Sequence, residues 1–185
     1  MRVVVVSAPV SIVTLGEAKR QLRVEHDDDD ELITDLVDAA SALLDGPPGK
    51  LGRALGDQVL ELHLDGFYTA GRATIDLPYP PLLEIVSVTY DDGLGANHTV
   101  APASYGVLAG RAAYPKVGYT WPAATAARVR YRAGHVDRAP APVRHATLMM
   151  VSRLYASRGE DRPANLVEEP AIAALLAPFR VWGAC

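Results

Sequence analysis

Residues 58–64, with the sequence QVLELHL, alternate between apolar and polar side chains from Leu60 onward. A period of two residues places every apolar side chain on one face of an extended chain, so this segment is predicted to be a β-strand with one buried face. Segments 73–77, 84–90, 104–108 and 127–131 repeat the pattern, and Gly and Pro separate them. About five such strands predict a small antiparallel sandwich or barrel within residues 51–138.

Helical patterns precede this β-rich segment. The residues Thr14-Leu15-Gly16-Glu17 have the spacing of a capping box, which predicts a short helix that extends to about Val24. Apolar residues then recur on one helical face over residues 32–44. The segment GPPG (46–49) ends this second helix, because Gly suits the left-handed position past a helix end and Pro cannot continue the ladder.

Helical patterns also follow the β-rich segment. Pro142 fits a first helical turn and opens a helix predicted for residues 143–158, whose apolar residues occupy two faces. A short last helix is predicted from Pro170 to Pro178. The predicted fold is therefore α+β, with a helical bundle formed from both chain ends and an inserted small antiparallel β domain. The predicted boundaries are 1–50 and 139–178 for the helices of the bundle, 51–138 for the β-rich insertion and 179–185 for a C-terminal tail.

Four consecutive aspartates at residues 27–30 could bind a metal or begin a helix. An EF-hand loop spaces its ligands at alternate positions and needs a Gly at its sharp turn, and neither feature is present. Consecutive residues of a helix also point about 100° apart, so they do not converge on one ion. The favoured interpretation is that Asp28 or a neighbour caps the second helix, with Glu31 in its first turn.

No catalytic constellation is evident, so the protein is not expected to be an enzyme and no catalytic residue, metal or cofactor is predicted. The P-loop motif is not completed after Gly46, because Leu51 stands where a hydroxyl is needed. His135 and Asp137 could pair, although a loop explains them more simply. The only cysteine is Cys185. The net charge of -4 argues against tight non-specific binding of nucleic acid, and a cytosolic protein is expected because no signal or membrane span is found.

Two groups of residues are candidate interaction surfaces. Arg128, Arg130 and Arg132 alternate onto one face of the last predicted strand. They form either a solvated strand face or an interface with an acidic partner or with DNA phosphates. The tail residues Phe179, Arg180, Val181 and Trp182 follow a helix stop and combine two aromatics with an arginine, which are common interface anchors. The alternative for the tail is that it folds back onto the core of its own chain.

Taken in order, several segments resemble the tailed-phage head-tail connector (adaptor) family, which includes adaptors of gene transfer agents. The segments span nearly the whole chain and are LGEAKRQLRV (15–24) followed by the acidic run, LPYPP (77–81), IVSVTYDDG (85–93), VRYRAG (129–134) and a closing helix that ends in YASR (155–158).

The resemblance implies a structural protein without enzymatic activity. Such a protein is expected to form a homo-oligomeric ring, with twelve subunits, below the portal and to leave a channel for DNA. Its expected partners are the portal protein, a tail-proximal connector or stopper protein, and DNA that passes without sequence-specific binding. The resemblance also implies that residues 179–182 engage the portal. Arg128, Arg130 and Arg132 are candidates for a subunit interface or for the DNA channel. A small β-rich enzyme and a nucleic-acid-binding module remain alternatives.

Overall fold

The computed structural model describes residues 1–68, 73–157 and 165–181. The chain divides into two compact units. The sheet unit combines residues 1–8 with the described residues of 57–134, and the helical unit combines residues 9–56 with the described residues after Gly134. The two units account for the strands and the helices respectively, so the predicted α+β class is confirmed. None of the helices in the described residues is long and apolar enough to span a membrane.

The sheet unit contains two antiparallel sheets. The larger has five strands in the order β1-β2-β8-β4-β5, and the smaller has three in the order β3-β7-β6. The strands are β1 (Arg2–Ser7), β2 (Gln58–Leu64), β3 (Ile75–Asp76), β4 (Leu82–Asp91), β5 (Asn97–Thr99), β6 (Tyr105–Leu108), β7 (Ala112–Pro115) and β8 (Ala126–Ala133).

The strand β2 lies between β1 and β8. Its side chains alternate between buried and half-buried along the whole strand, as predicted. Leu60 and Leu62 are buried beside Val129 and Tyr131 of β8, which alternates in the same way. The Tyr131 hydroxyl also donates a hydrogen bond to the Pro78 carbonyl at 2.7 Å. Burial raises the pKa of this phenol, so the hydroxyl acts as a neutral donor that ties β8 to the segment before β4.

Three of the strands were not predicted. The strands β1, β5 and β7 lack a period of two: β1 contains four consecutive valines, and the other two have only three and four residues. The strand β3 is also shorter than the predicted segment 73–77. Pairing with another strand stabilises each of them, and the partner is distant in the sequence for β1, which pairs with β2, and for β7 where it pairs with β3. The strand β5 pairs with the adjacent β4.

The helical unit is built from α1 (Leu15–Leu22), α2 (Asp30–Ala42), α3 (Ala141–Ala156) and α4 (Pro170–Leu176), which contribute to one buried core. The predicted capping box of α1 is confirmed: the Thr14 hydroxyl accepts from the Glu17 N–H, and the Thr14 N–H donates to the Glu17 carboxylate at 2.9 Å. The hydrogen bond from the Thr14 backbone, with Arg138 and Arg144 nearby, lowers the pKa of Glu17. The carboxylate therefore links α1 to the start of α3.

The prediction that Asp28 or a neighbour caps α2 is confirmed for the position of the cap but not for a side-chain hydrogen bond. Asp29 occupies the N-cap position, but its backbone (φ -98°, ψ 5°) is not extended and its side chain makes no capping hydrogen bond. Asp27 and Asp30 instead accept hydrogen bonds from Lys19 Nζ at 2.7 and 2.6 Å, and Asp29 accepts one from the Tyr155 hydroxyl. The aspartates thus connect α2 to α1 and α3. Among the described residues, no group of three or more potential metal ligands is found.

A buried carboxylate organises the segment between α2 and β2. Asp45 accepts hydrogen bonds from the backbone N–H groups of Leu55 and Gly56 at 2.7 and 2.9 Å. Gly49 lies within this segment, and a Cβ there would come within 2.4 Å of the Leu44 carbonyl group. The stretch with a partial resemblance to a P-loop is therefore a tightly packed connection whose glycine is needed for close approach of two backbone segments.

Candidate interaction surfaces

The three arginines of β8 share one face of the large sheet, as predicted, and all of them are paired with carboxylates. Arg128 contacts Asp91 at 2.7 Å and Arg130 contacts Glu61 at 2.7 Å. Arg132 binds Asp57 through two hydrogen bonds and lies 3.6 Å from Glu84. We call these seven residues the arginine ladder: Arg128, Arg130 and Arg132 with Asp57, Glu61, Glu84 and Asp91.

The arginine ladder has compensated charge. Hydrogen bonding to Arg132 lowers the pKa of Asp57, and the same bond raises the pKa of Arg132, so both groups remain ionised at neutral pH. Three cations face four carboxylates, and His63 lies 2.9 Å from Glu61. A surface of this kind lacks the excess positive charge that phosphate binding requires, which weakens the interpretation of a nucleic-acid-binding module.

The described part of the tail packs against the helical unit. Phe179 ends a 3₁₀ turn, contacts the helical core and has the Arg53 guanidinium 6.0 Å from its ring centroid. The Val181 N–H donates to the Leu51 carbonyl at 2.8 Å. Phe179, Arg180 and Val181 keep part of their surface exposed, and Trp182 lies outside the described residues. The predicted assignment of these four residues to a portal interface remains a prediction.

His135 and Asp137 were considered as a possible imidazole–carboxylate pair, but the charged groups near His135 are different ones. The charged groups that influence His135 are Arg53 and Asp45, whereas Asp137 is exposed. Burial is the main cause that lowers the pKa of His135, and Arg53 adds to it. The imidazole is thus favoured in its neutral form beside a guanidinium, and its backbone N–H donates to the Leu55 carbonyl. These contacts suit a structural position in the loop before α3.

An exposed leucine at the turn between β4 and β5 was missed by sequence reasoning. Leu94 is 93% exposed. The Asp92 carboxylate accepts hydrogen bonds from the N–H groups of Leu94 and Ala96 at 2.8 and 3.2 Å, and it contacts His98 at 2.8 Å. The side chain is therefore presented on an ordered turn. The available signal was an apolar residue between two glycines, Gly93 and Gly95, in a segment otherwise suited to a turn.

Comparison with known proteins places these features in context. Residues 12–76, about a third of the chain, match the model of the family described as phage gp6-like head-tail connector protein. No curated protein matches the sequence significantly. The predicted resemblance to head-tail connectors is confirmed by the family match over residues 12–76.

Solved structures match the fold over nearly the full length. A chain in the virion of a native gene transfer agent particle aligns with a TM-score of 0.77 at 18% identity, and the alignment covers 100% of each chain. A chain in the neck of an empty particle, computed with C6 symmetry, has a TM-score of 0.78 at 18% identity and coverage of 98% and 96%. A chain in the neck of a native particle, computed with C12 symmetry, has a TM-score of 0.70 at 16% identity with the same coverage. Both units of this protein therefore occur together in one known fold.

Proposed function

We propose that the protein is a structural head-tail connector, or adaptor, of a phage or phage-like particle such as a gene transfer agent. The observation that carries the proposal is the full-length fold match to chains of gene transfer agent particles. The family match over residues 12–76 supports it independently. In this role the helices from both chain ends form one bundle with the β domain inserted between them. The protein has no enzymatic role in the proposal.

The proposed assembly is a ring of twelve copies below the portal. The C12 and C6 symmetry named for the particle necks supports a cyclic arrangement. The ring assembles in the cytoplasm and then lies at the head–tail junction, where it joins the capsid to the tail and leaves a channel for DNA. Its partners are the portal on the head side and a tail-proximal connector or stopper protein on the other. A cyclic ring requires two different subunit surfaces that meet head to tail.

The arginine ladder suits a surface at a subunit interface or along the DNA channel. A duplex that moves through a channel must not be held by unpaired cations, because each phosphate contact adds to affinity. The carboxylates of the ladder neutralise Arg128, Arg130 and Arg132, and the chain as a whole carries a net charge of -4. The proposal is that DNA passes such a surface without sequence-specific binding.

Replacing Asp57 by Asn together with Glu61 by Gln should expose the charge of Arg132 and Arg130 and create affinity for duplex DNA. Two new phosphate contacts would make that affinity fall about tenfold between about 50 and 200 mM salt. Fluorescence anisotropy with a labelled random-sequence duplex measures the change. The matched control is Glu25→Gln with Asp65→Asn, which alters the net charge equally at exposed positions outside the ladder. Equal DNA binding by both double variants would contradict this role of the ladder.

The portal-binding experiment tests the proposed function itself. The full-length chain should bind the portal protein of the same particle as a ring, and a chain that ends at Pro178 should not, since it lacks residues 179–182. Because Phe179 also packs on the helical core, thermal unfolding must first establish that the shortened chain is folded. A Trp182→Ala variant that keeps Phe179 serves as the second test.

Each outcome of the portal experiment has a separate meaning. Binding by the full-length chain alone supports both the connector function and the role of the tail. Binding by every version contradicts only the assignment of residues 179–182 to the portal. Failure of the folded full-length chain to bind the portal contradicts the connector function.

A further inference from the structure

The strand β1 leaves an apolar edge of the large sheet uncovered. It stands at one end of the strand order, and among the described strands it pairs only with β2. Val5 and Val6 are 39% and 46% exposed. A run of four valines is typical of a strand buried on both faces, whereas edge strands are usually protected by Lys, Pro or short length. The composition of β1 therefore fits a strand inside a sheet, with another strand paired along each of its two edges.

The strand β4 leaves a second free edge on the other side of the same sheet. The strand β5 pairs only with residues 89–91 of β4, so no described strand lies beside residues 82–87 on that side. Register shifts against β8 leave Leu83 and Val86 without partner residues there. These two side chains are 37% and 50% exposed. The free stretch of β4 is thus apolar and contains six residues, as β1 does.

The two free edges carry opposite charges. Arg2 is the only charged residue of β1, and Glu84 is the only one in residues 82–87. Glu84 is exposed and lies 3.6 Å from Arg132, which is already bound by Asp57. The carboxylate can therefore accept a second cation without leaving Arg132 unpaired.

The position of the edges suits a ring. The two free stretches lie at opposite edges of one sheet. A cyclic assembly needs two different surfaces on each subunit. We propose that β1 of one copy pairs with residues 82–87 of β4 in the next copy, so that the large sheet continues from subunit to subunit. This inference rests on the proposed function, because it takes a second copy of this chain in a ring as the partner.

Cysteine cross-linking in the full-length protein tests the inference. In a background with Cys185→Ser, the pair Val5→Cys and Leu83→Cys places one thiol on each edge in an antiparallel register that makes Arg2 a diagonal neighbour of Glu84. The pair Val3→Cys and Leu83→Cys covers the shifted register in which Arg2 lies directly opposite Glu84. Residues paired across antiparallel strands have Cα atoms about 4.5–5.5 Å apart, within the range of a disulfide. Oxidation with copper phenanthroline of the ring formed with the portal should give a ladder of covalent species larger than a dimer.

The controls separate specific pairing from random oxidation. Each single-cysteine variant can give a dimer at most, and Val5→Cys with Leu94→Cys places the second thiol on an exposed turn of the same unit. A ring that binds the portal but gives no ladder with either edge pair would overturn the inference and leave the proposed function intact. A wild-type chain that forms no ring with the portal would overturn both.

Charge reversal provides a second measurement. Arg2→Glu and Glu84→Arg should each reduce ring formation, because each places like charges across the proposed contact. The double variant should restore the ring. Analytical ultracentrifugation of the chain mixed with portal distinguishes these results, and unchanged ring formation by both single variants would count against pairing of the two edges.

Discussion

Replacing Met150 by alanine is expected to lower the free energy of unfolding of the helical unit by about 2–5 kcal/mol. Met150 is fully buried on α3 and belongs to the core to which all four helices contribute. Truncation would remove most of its apolar side chain and leave a cavity that the surrounding helices can fill only in part. Urea unfolding followed by far-ultraviolet circular dichroism measures the loss through the helical signal.

Met149 offers a matched control on the same helix. It has the same side chain one residue earlier, but it is only partly buried against the core. Met149→Ala should therefore cost less than half as much as Met150→Ala, since less apolar surface returns to water. Equal losses at both positions would mean that Met150 is not more deeply buried than Met149.

Local patterns predicted the elements whose stability depends on their own sequence. The alternation of residues 58–64 predicted β2 with the bounds that the structure shows. The spacing of Thr14 and Glu17 predicted the start of α1. Both signals arise because nearby residues satisfy the geometry of a regular element. The strand β1 was missed because four valines in a row carry no period, and its assignment depends on pairing with a strand more than fifty residues away.

The run of aspartates at residues 27–30 was placed correctly at the start of α2, but its hydrogen bonds were not predicted. Acidic residues do occupy the first turn of α2, as predicted. The capping hydrogen bond is absent because the backbone of Asp29 is not extended, and Lys19 and Tyr155 offer better partners for the carboxylates. Those partners lie on other helices, so their contribution could not be inferred from residues 27–30 alone.

The candidate surfaces were predictable in composition but not in their contacts. Alternation placed Arg128, Arg130 and Arg132 on one face, and the structure agrees. Their carboxylate partners lie 37, 69 and 75 residues away in the sequence, so the neutralisation of the arginine ladder required the fold. The pairing changes the expected affinity for phosphates, because an uncompensated arginine face would favour DNA binding and a neutralised one would not.

Replacing Asp45 by alanine is expected to lower the free energy of unfolding by about 2–4 kcal/mol, because two buried N–H groups would lose a charged acceptor. The carboxylate is buried and holds the N–H groups of Leu55 and Gly56. These bonds fix the end of the connection between α2 and β2. The exchange of the Leu55 and Gly56 amide protons with solvent, measured by hydrogen–deuterium exchange, should accelerate together with the loss of stability.

Two further variants distinguish the role of the hydrogen bonds from that of the charge alone. Asp38 is an exposed aspartate of α2 that accepts a hydrogen bond from Ser11, and Asp38→Ala should cost no more than about 1 kcal/mol. Asp45→Asn keeps one acceptor oxygen in a side chain of nearly the same shape, so it should fall between wild type and Asp45→Ala. Equal losses for Asp45→Ala and Asp38→Ala would contradict a structural role for the buried carboxylate. A full loss with Asn would show instead that both carboxylate oxygens are needed to accept from the N–H groups of Leu55 and Gly56.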